Sequence, residues 1–104
     1  MREFDVSVSQ LPHRIVVTLT GELDIDTCPY VTRATERLAL RDNTLTVDMS
    51  GVSFMDSSSL NMLLRLRQRA QAEGGLLELC GLQQQAQRVL EITGANELFP
   101  AGRV

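Results

Sequence analysis

The sequence predicts an α/β fold in one domain over residues 1–104. The expected architecture is a small mixed sheet, with an antiparallel hairpin at one side and parallel strands beyond it, packed by helices in the order ββαβαβα. Three observations lead there. A chain of 104 residues buries one core and not two. Its first two alternating segments are separated by a turn alone, so they pair antiparallel. Its later alternating segments are separated by stretches of helical period, and strands joined that way run parallel through right-handed crossovers.

The elements follow in order. In FDVSVSQ, Phe4, Val6 and Val8 alternate with Asp5, Ser7 and Ser9, the period of a half-buried strand. LPHR is a turn, with His13 a solvated turn residue, and IVVTLTGEL is the second strand. DIDTCPYVTRATERLAL reads as a helix that Asp26 or Thr27 can cap, with Val31, Ala34 and Leu38 at helical spacing. Pro29 stands in its first turn, where a missing N–H costs nothing. NTLTVDM returns to alternation, Leu45, Val47 and Met49 against Thr44, Thr46 and Asp48. A second helix starts near Ser57, reaches about Glu73 and ends at Gly74-Gly75. LLELCGL is the fourth strand. QQQAQRVLEITG is a third helix, with Ala86, Val89 and Leu90 inward, four glutamines on an exposed face and Gly94 as its stop. The tail NELFPAGRV adds at most a short edge strand at Leu98–Phe99.

Composition narrows the function. An apolar content of 43% with 22% charged residues is that of an ordinary soluble globular domain. A net charge of -3 argues against direct, non-specific nucleic-acid binding, which needs a basic surface. All ten cationic residues are arginine, which removes every mechanism built on a lysine amine. The start MREFDVSV lacks the apolar core of a signal peptide, and no apolar run approaches the ~18 residues of a membrane span, so a cytoplasmic protein is expected. Cys28 and Cys80 lie far apart outside any CxxC pattern and read as small half-buried apolar residues; no metal and no cofactor are expected. GVSFM lacks the second glycine of a nucleophile elbow. Asp24, Asp48 and Asp56 at strand ends could suggest an aspartyl-phosphate site with Mg²⁺, but such sites resemble a pattern with an essential lysine. The chain is therefore expected not to be an enzyme.

The informative stretch is VDMSGVSFMDSSSLNMLL, Val47–Leu64, where an aspartate and three serines stand between strand and helix. Projection at about 100° per residue places Leu60, Leu63, Leu64, Leu66 and Ala70 on the buried arc. Ser58, Asn61, Arg65 and Arg69 fall opposite, and Ser59 falls at the edge of the apolar arc. The three serines thus divide: Asp56 or Ser57 caps, Ser59 packs, and Ser58 meets solvent. From residue types alone the whole cluster could be no more than caps. The first turn of a helix nevertheless carries roughly half a positive charge and unpaired N–H groups. A phosphate there would add about -1.5 to -2 charges and three acceptor oxygens, which a docked partner would feel as repulsion and desolvation cost.

Two segments together, LTGELDIDT (Leu19–Thr27) and Val47–Leu64, resemble the STAS domain of anti-sigma factor antagonists over nearly the whole chain. The specific parts are GELD (Gly21–Asp24) and FMDSS (Phe54–Ser58). The resemblance implies a partner switch. The unmodified protein binds an anti-sigma factor, a serine kinase of the GHKL type, and so frees a sigma factor. Phosphorylation of the second serine of Asp-Ser-Ser, here Ser58, abolishes that complex, and a PP2C-type phosphatase restores it. Asp24 and Asp56, with Ser57, would support the site, and Ser59, Asn61, Met62 and Arg65 would contact the partner. Arg65 could alternatively pair with a phosphate on Ser58, although seven residues is a long reach. Where the family motif continues Gly-Leu-Gly, this chain has Ser59-Leu60-Asn61. Losing two glycines stabilises the first turn by about 1 kcal/mol, fills space beside a partner backbone and leaves Ser59 as a second possible acceptor. The resemblance also implies a last helix that is absent or reduced here. The other function open to such a module is an accessory subunit of another complex, such as a lipid-transport ATPase, without a phospho-switch.

Overall fold

The computed structural model describes residues 4–102; the expected domain runs beyond these bounds at residues 1–3 and 103–104. Strands β1 (Asp5–Leu11) and β2 (Arg14–Leu23) form the hairpin, with Ser9 opposite Val16 and Leu11 opposite Arg14. The turn between them is tight because His13 adopts a left-handed conformation, φ 63°. Helix α1 (Cys28–Thr35) leads to β3 (Thr44–Met55), α2 (Ser57–Ala72) to β4 (Leu76–Cys80), and α3 (Gln84–Thr93) is followed by a short 3₁₀ turn at Ala95–Leu98. The sheet order is β1-β2-β3-β4, with β1 antiparallel to β2 and the other pairs parallel, as the sequence predicts.

Period-two alternation builds the core. Ile15, Val17 and Leu19 on β2, Leu45, Val47 and Met49 on β3, and Leu77 and Leu79 on β4 are all buried. Against them pack Val31 of α1 and Leu60, Leu63, Leu66 and Ala70 of α2. Two crossovers stepping in the same direction along the sheet put α1 and α2 on one face of it. On the other face Arg14 Nη1 donates to Thr46 Oγ1 and to Glu78 Oε1 at 2.8 Å, which lets Thr46 be buried with its hydroxyl satisfied. This cross-strand ion pair explains why the polar side of β3 is not open to water at its centre.

Three expectations need correction. The third strand is longer than NTLTVDM: it continues through Ser50 and Gly51 to Met55, with its register against β2 shifted by irregularities. Gly51 allows this, since a Cβ there would stand 3.0 Å from the Leu19 carbonyl. The glutamines of α3 are not simply a solvated face. β4 covers only Thr44–Asp48 of β3, so the far half of that edge has no strand beside it. Gln85 supplies what is missing: its Oε1 accepts from Met55 N–H at 2.8 Å and its Nε2 donates to Met55 C=O at 2.9 Å. Gln83 Nε2 donates to the Ser50 carbonyl at 2.7 Å. A side-chain amide has the same donor and acceptor as a peptide group, so it substitutes for a neighbouring strand. Finally, Leu98 lies in the 3₁₀ turn and Phe99 is buried; the edge pairing of the tail is at Ala101, opposite Leu79.

Candidate functional site

Two loops meet at the C-terminal ends of β2 and β3. The first is Asp24–Thr27. Gly21, at φ 113°, absorbs the irregularity where β2 leaves register with β3, and the chain then turns on the side chain of Asp24. Asp24 Oδ1 accepts the N–H groups of Asp26 and Thr27 at 3.0 and 3.1 Å. Thr27 is buried and returns the favour, its hydroxyl donating to the Glu22 carbonyl at 2.8 Å and accepting Asp24 N–H at 2.9 Å. The loop is closed on itself, which forces the apolar Ile25 outward at 68% exposure.

The second loop is the strand-to-helix junction. Asp56 is the N-cap of α2 and forms a reciprocal capping box with Ser59. Its Oδ1 accepts Ser59 N–H at 3.0 Å, while Asp56 N–H points back to Ser59 Oγ at 3.5 Å. The Ser59 hydroxyl, fully buried, is held between Asp56 Oδ1 and the carbonyl of Leu23 at the end of β2. Cys28 Sγ stands 3.8 Å from the same oxygen. Burial pushes the Cys28 thiol above its usual pKa; the Ser59 contact works against this, Asp56 and Asp24 add to it, and Arg65 opposes it. A raised pKa keeps the thiol protonated, the less nucleophilic form. One serine therefore fastens the start of α2 to both neighbouring loops.

That leaves the other two serines. Ser57 is exposed as the first helical residue, and the cap is Asp56 alone. Ser58 is half-buried, and its hydroxyl makes no hydrogen bond among the described residues. It opens onto a groove of about 520 Å³ between α1 and α2, together with Ile25, Cys28, Arg33, Asn61 and Arg65. Asp24 and Asp56 shape the two loops that border Ser58; their carboxylates bond those loops and do not hold its hydroxyl.

The structure redistributes the expected contact residues. Asn61 and Arg65 are exposed beside Ser58. Ser59 is corrected: sealed in the core, it offers neither a contact surface nor a second acceptor. Met62, at 9% exposure, belongs to the core and shows the groove only an edge. Sequence reasoning missed Ile25, which lines the groove with Ser58; Phe54, 41% exposed, stands one residue before the end of β3. An isoleucine between two aspartates in a short loop was the available signal for Ile25. Arg33, brought to the groove by α1, could not be found without knowing how the helices pair. Asp48 does not join Asp24 and Asp56; it lies beside Cys80 and accepts Ser50 N–H at 3.0 Å. Among the described residues no three His, Cys, Asp or Glu side chains converge as a metal site would require, and no helix is long and apolar enough to cross a membrane.

The STAS domain family model matches residues 5–103. An anti-sigma-B factor antagonist of Bacillus subtilis is 29% identical over 95 residues, 91% of this chain and 87% of that protein. The crystal structure of an anti-sigma factor antagonist from Mycobacterium paratuberculosis superposes with a TM-score of 0.84 over 98% of this chain and 87% of that one, at 23% identity. The Bacillus cell fate determinant SpoIIAA in its phosphorylated form superposes with a TM-score of 0.64 over 97% and 92%, at 19% identity. These two structures share the fold.

Proposed function

Because the chain belongs to the STAS-domain family, we propose that it is an anti-sigma factor antagonist, a non-enzymatic regulator whose unmodified form binds an anti-sigma factor and so frees a sigma factor. In this reading the partner is a serine kinase of the GHKL type, Ser58 is the hydroxyl it phosphorylates, and a PP2C-type phosphatase reverses the modification, all in the cytoplasm. One observation carries it. Of the three serines at the junction, Ser57 and Ser58 have hydroxyls with no hydrogen bond among the described residues, and of these two it is Ser58 that lines the groove between α1 and α2.

The physical logic of the switch follows from the surroundings. Ile25 presents apolar surface in the groove with Ser58, and Asn61 and Arg65 extend that face along α2 with polar groups. A partner covering this surface desolvates Ser58 as well. A neutral hydroxyl tolerates that; a dianion does not, since an uncompensated buried charge costs several kcal/mol and each ~1.4 kcal/mol is tenfold in affinity. The backbone need not move. The name borne by the B. subtilis relative and the phosphorylated form of SpoIIAA support the reading.

The test uses the cognate anti-sigma kinase with purified protein. Ser58→Asp is expected to remain folded by circular dichroism and to bind at least roughly 100-fold more weakly. Ser58→Ala should bind as the wild type does and gain no mass on incubation with kinase and ATP. Unchanged binding by the aspartate variant rejects the switch and leaves the accessory-subunit role, which needs no modification of Ser58.

A further inference from the structure

The groove that Ser58 opens onto also contains two arginine side chains from different helices, Arg33 of α1 and Arg65 of α2. Both are exposed, and among the described residues neither has an ion-pair or hydrogen-bond partner. Arg69, which lines an adjoining groove between the same helices, is by contrast already bound to Glu73 and to the carbonyls of Thr35 and Leu38. The geometry points to a clamp: a phosphoryl group on Ser58 is held within the same molecule by the guanidinium groups of Arg65 and Arg33, bridging α2 to α1 across the groove. This rests on Ser58 being the modified residue.

Reach is the first question. Seven residues of helix, about two turns, separate the Cα atoms of Ser58 and Arg65 by about 10 Å, but helical side chains lean toward the N-terminus, so Arg65 extends back toward Ser58. Arg65 lines the same groove as Ser58 and Cys28. Arg33 approaches from the opposite wall. The opposing charges are Glu36 on the same wall and the carboxylates of Asp24 and Asp56 in the bordering loops, the latter two bonded to backbone N–H groups of those loops. Forked guanidinium donors suit phosphate oxygens, and two of them offset most of a charge of about -1.5 to -2. Modification would then do more than add charge: it would tie the two walls of the groove together and occupy its mouth.

The experiment needs no kinase, so it is independent of whether the proposed partner is right. Protein carrying phosphoserine at position 58, installed during translation, is titrated by ³¹P NMR in the native state and in urea. The native second ionisation should lie at least roughly half a unit below the unfolded value, which for phosphoserine is near ~6. Arg33→Gln with Arg65→Gln should remove most of that difference, Arg33→Lys with Arg65→Lys should retain part of it, and Arg37→Gln, in the turn that follows α1 and outside the groove lining, should leave it intact. Equal native and unfolded values overturn the clamp, as does a native shift that survives loss of both arginines, which would assign it to the helix terminus alone. Loss of anti-sigma factor binding by the unphosphorylated arginine variants, with the phosphate titration unchanged, would also overturn it and give these arginines to the partner.

Discussion

The first turns of α2 and α3 begin with similar polar residues and use them in opposite directions. At α2, Asp56 and Ser59 bond the helix's own backbone and the end of β2. At α3, the N-cap Gln83 makes no side-chain cap, and both Gln83 and Gln85 reach away to the uncovered edge of β3. The difference teaches that residue type at a helix start does not reveal which element its polar atoms serve. A chemically available group is what remains when those obligations are met. At α2 that remainder is Ser57 and Ser58, of which Ser58 lines the groove; at α3 the two amides that face β3 are both committed.

Substitutions can break this contrast, and they rank by how many buried partners each leaves unmet. Ser59→Ala removes half of the capping box and orphans the Leu23 carbonyl, so a loss of about 3 kcal/mol in urea unfolding is expected. Gln85→Leu should cost about 2 kcal/mol, because Met55 loses a partner for both N–H and C=O; Gln85→Glu, which can accept but not donate, should recover part of it. Asp56→Ala should cost about 1 kcal/mol, the ordinary value of an N-cap. Ser58→Ala should stay within ~0.5 kcal/mol of wild type, as for a surface side chain with no fixed partner. A loss above ~1 kcal/mol for Ser58→Ala would mean that its hydroxyl has a structural obligation and the contrast fails.

The strand-helix order was legible because period-two and helical repeats are local signals, and the turns at Pro12-His13 and Gly74-Gly75 punctuate them. The outward placement of Ser58 was legible for the same reason: helical projection needs only the position of Leu60 and Leu63. Ser59 was only half legible. Its inward direction followed from the projection, but its bond to Leu23 depends on how β2 and β3 lie side by side. The extension of β3 was hidden by Ser50 and Gly51, residues that usually signal a turn and here mark an irregularity held close to β2. Gln85 was illegible, since a glutamine on a helix reads as solvated unless the sheet edge it serves is already known. Leu98–Phe99 looked like strand by composition, yet the burial of Phe99 takes that pair out of the sheet and leaves Ala101 to bridge β4.

The amides that complete β3 have a consequence for how these molecules behave together. A bare strand margin is a template on which a neighbouring molecule can lay its own backbone, the first step toward fibrils. Here an incoming chain would have to evict Gln83 and Gln85 from Ser50 and Met55 before it could attach. The uncovered half of β3 is thereby closed to such pairing.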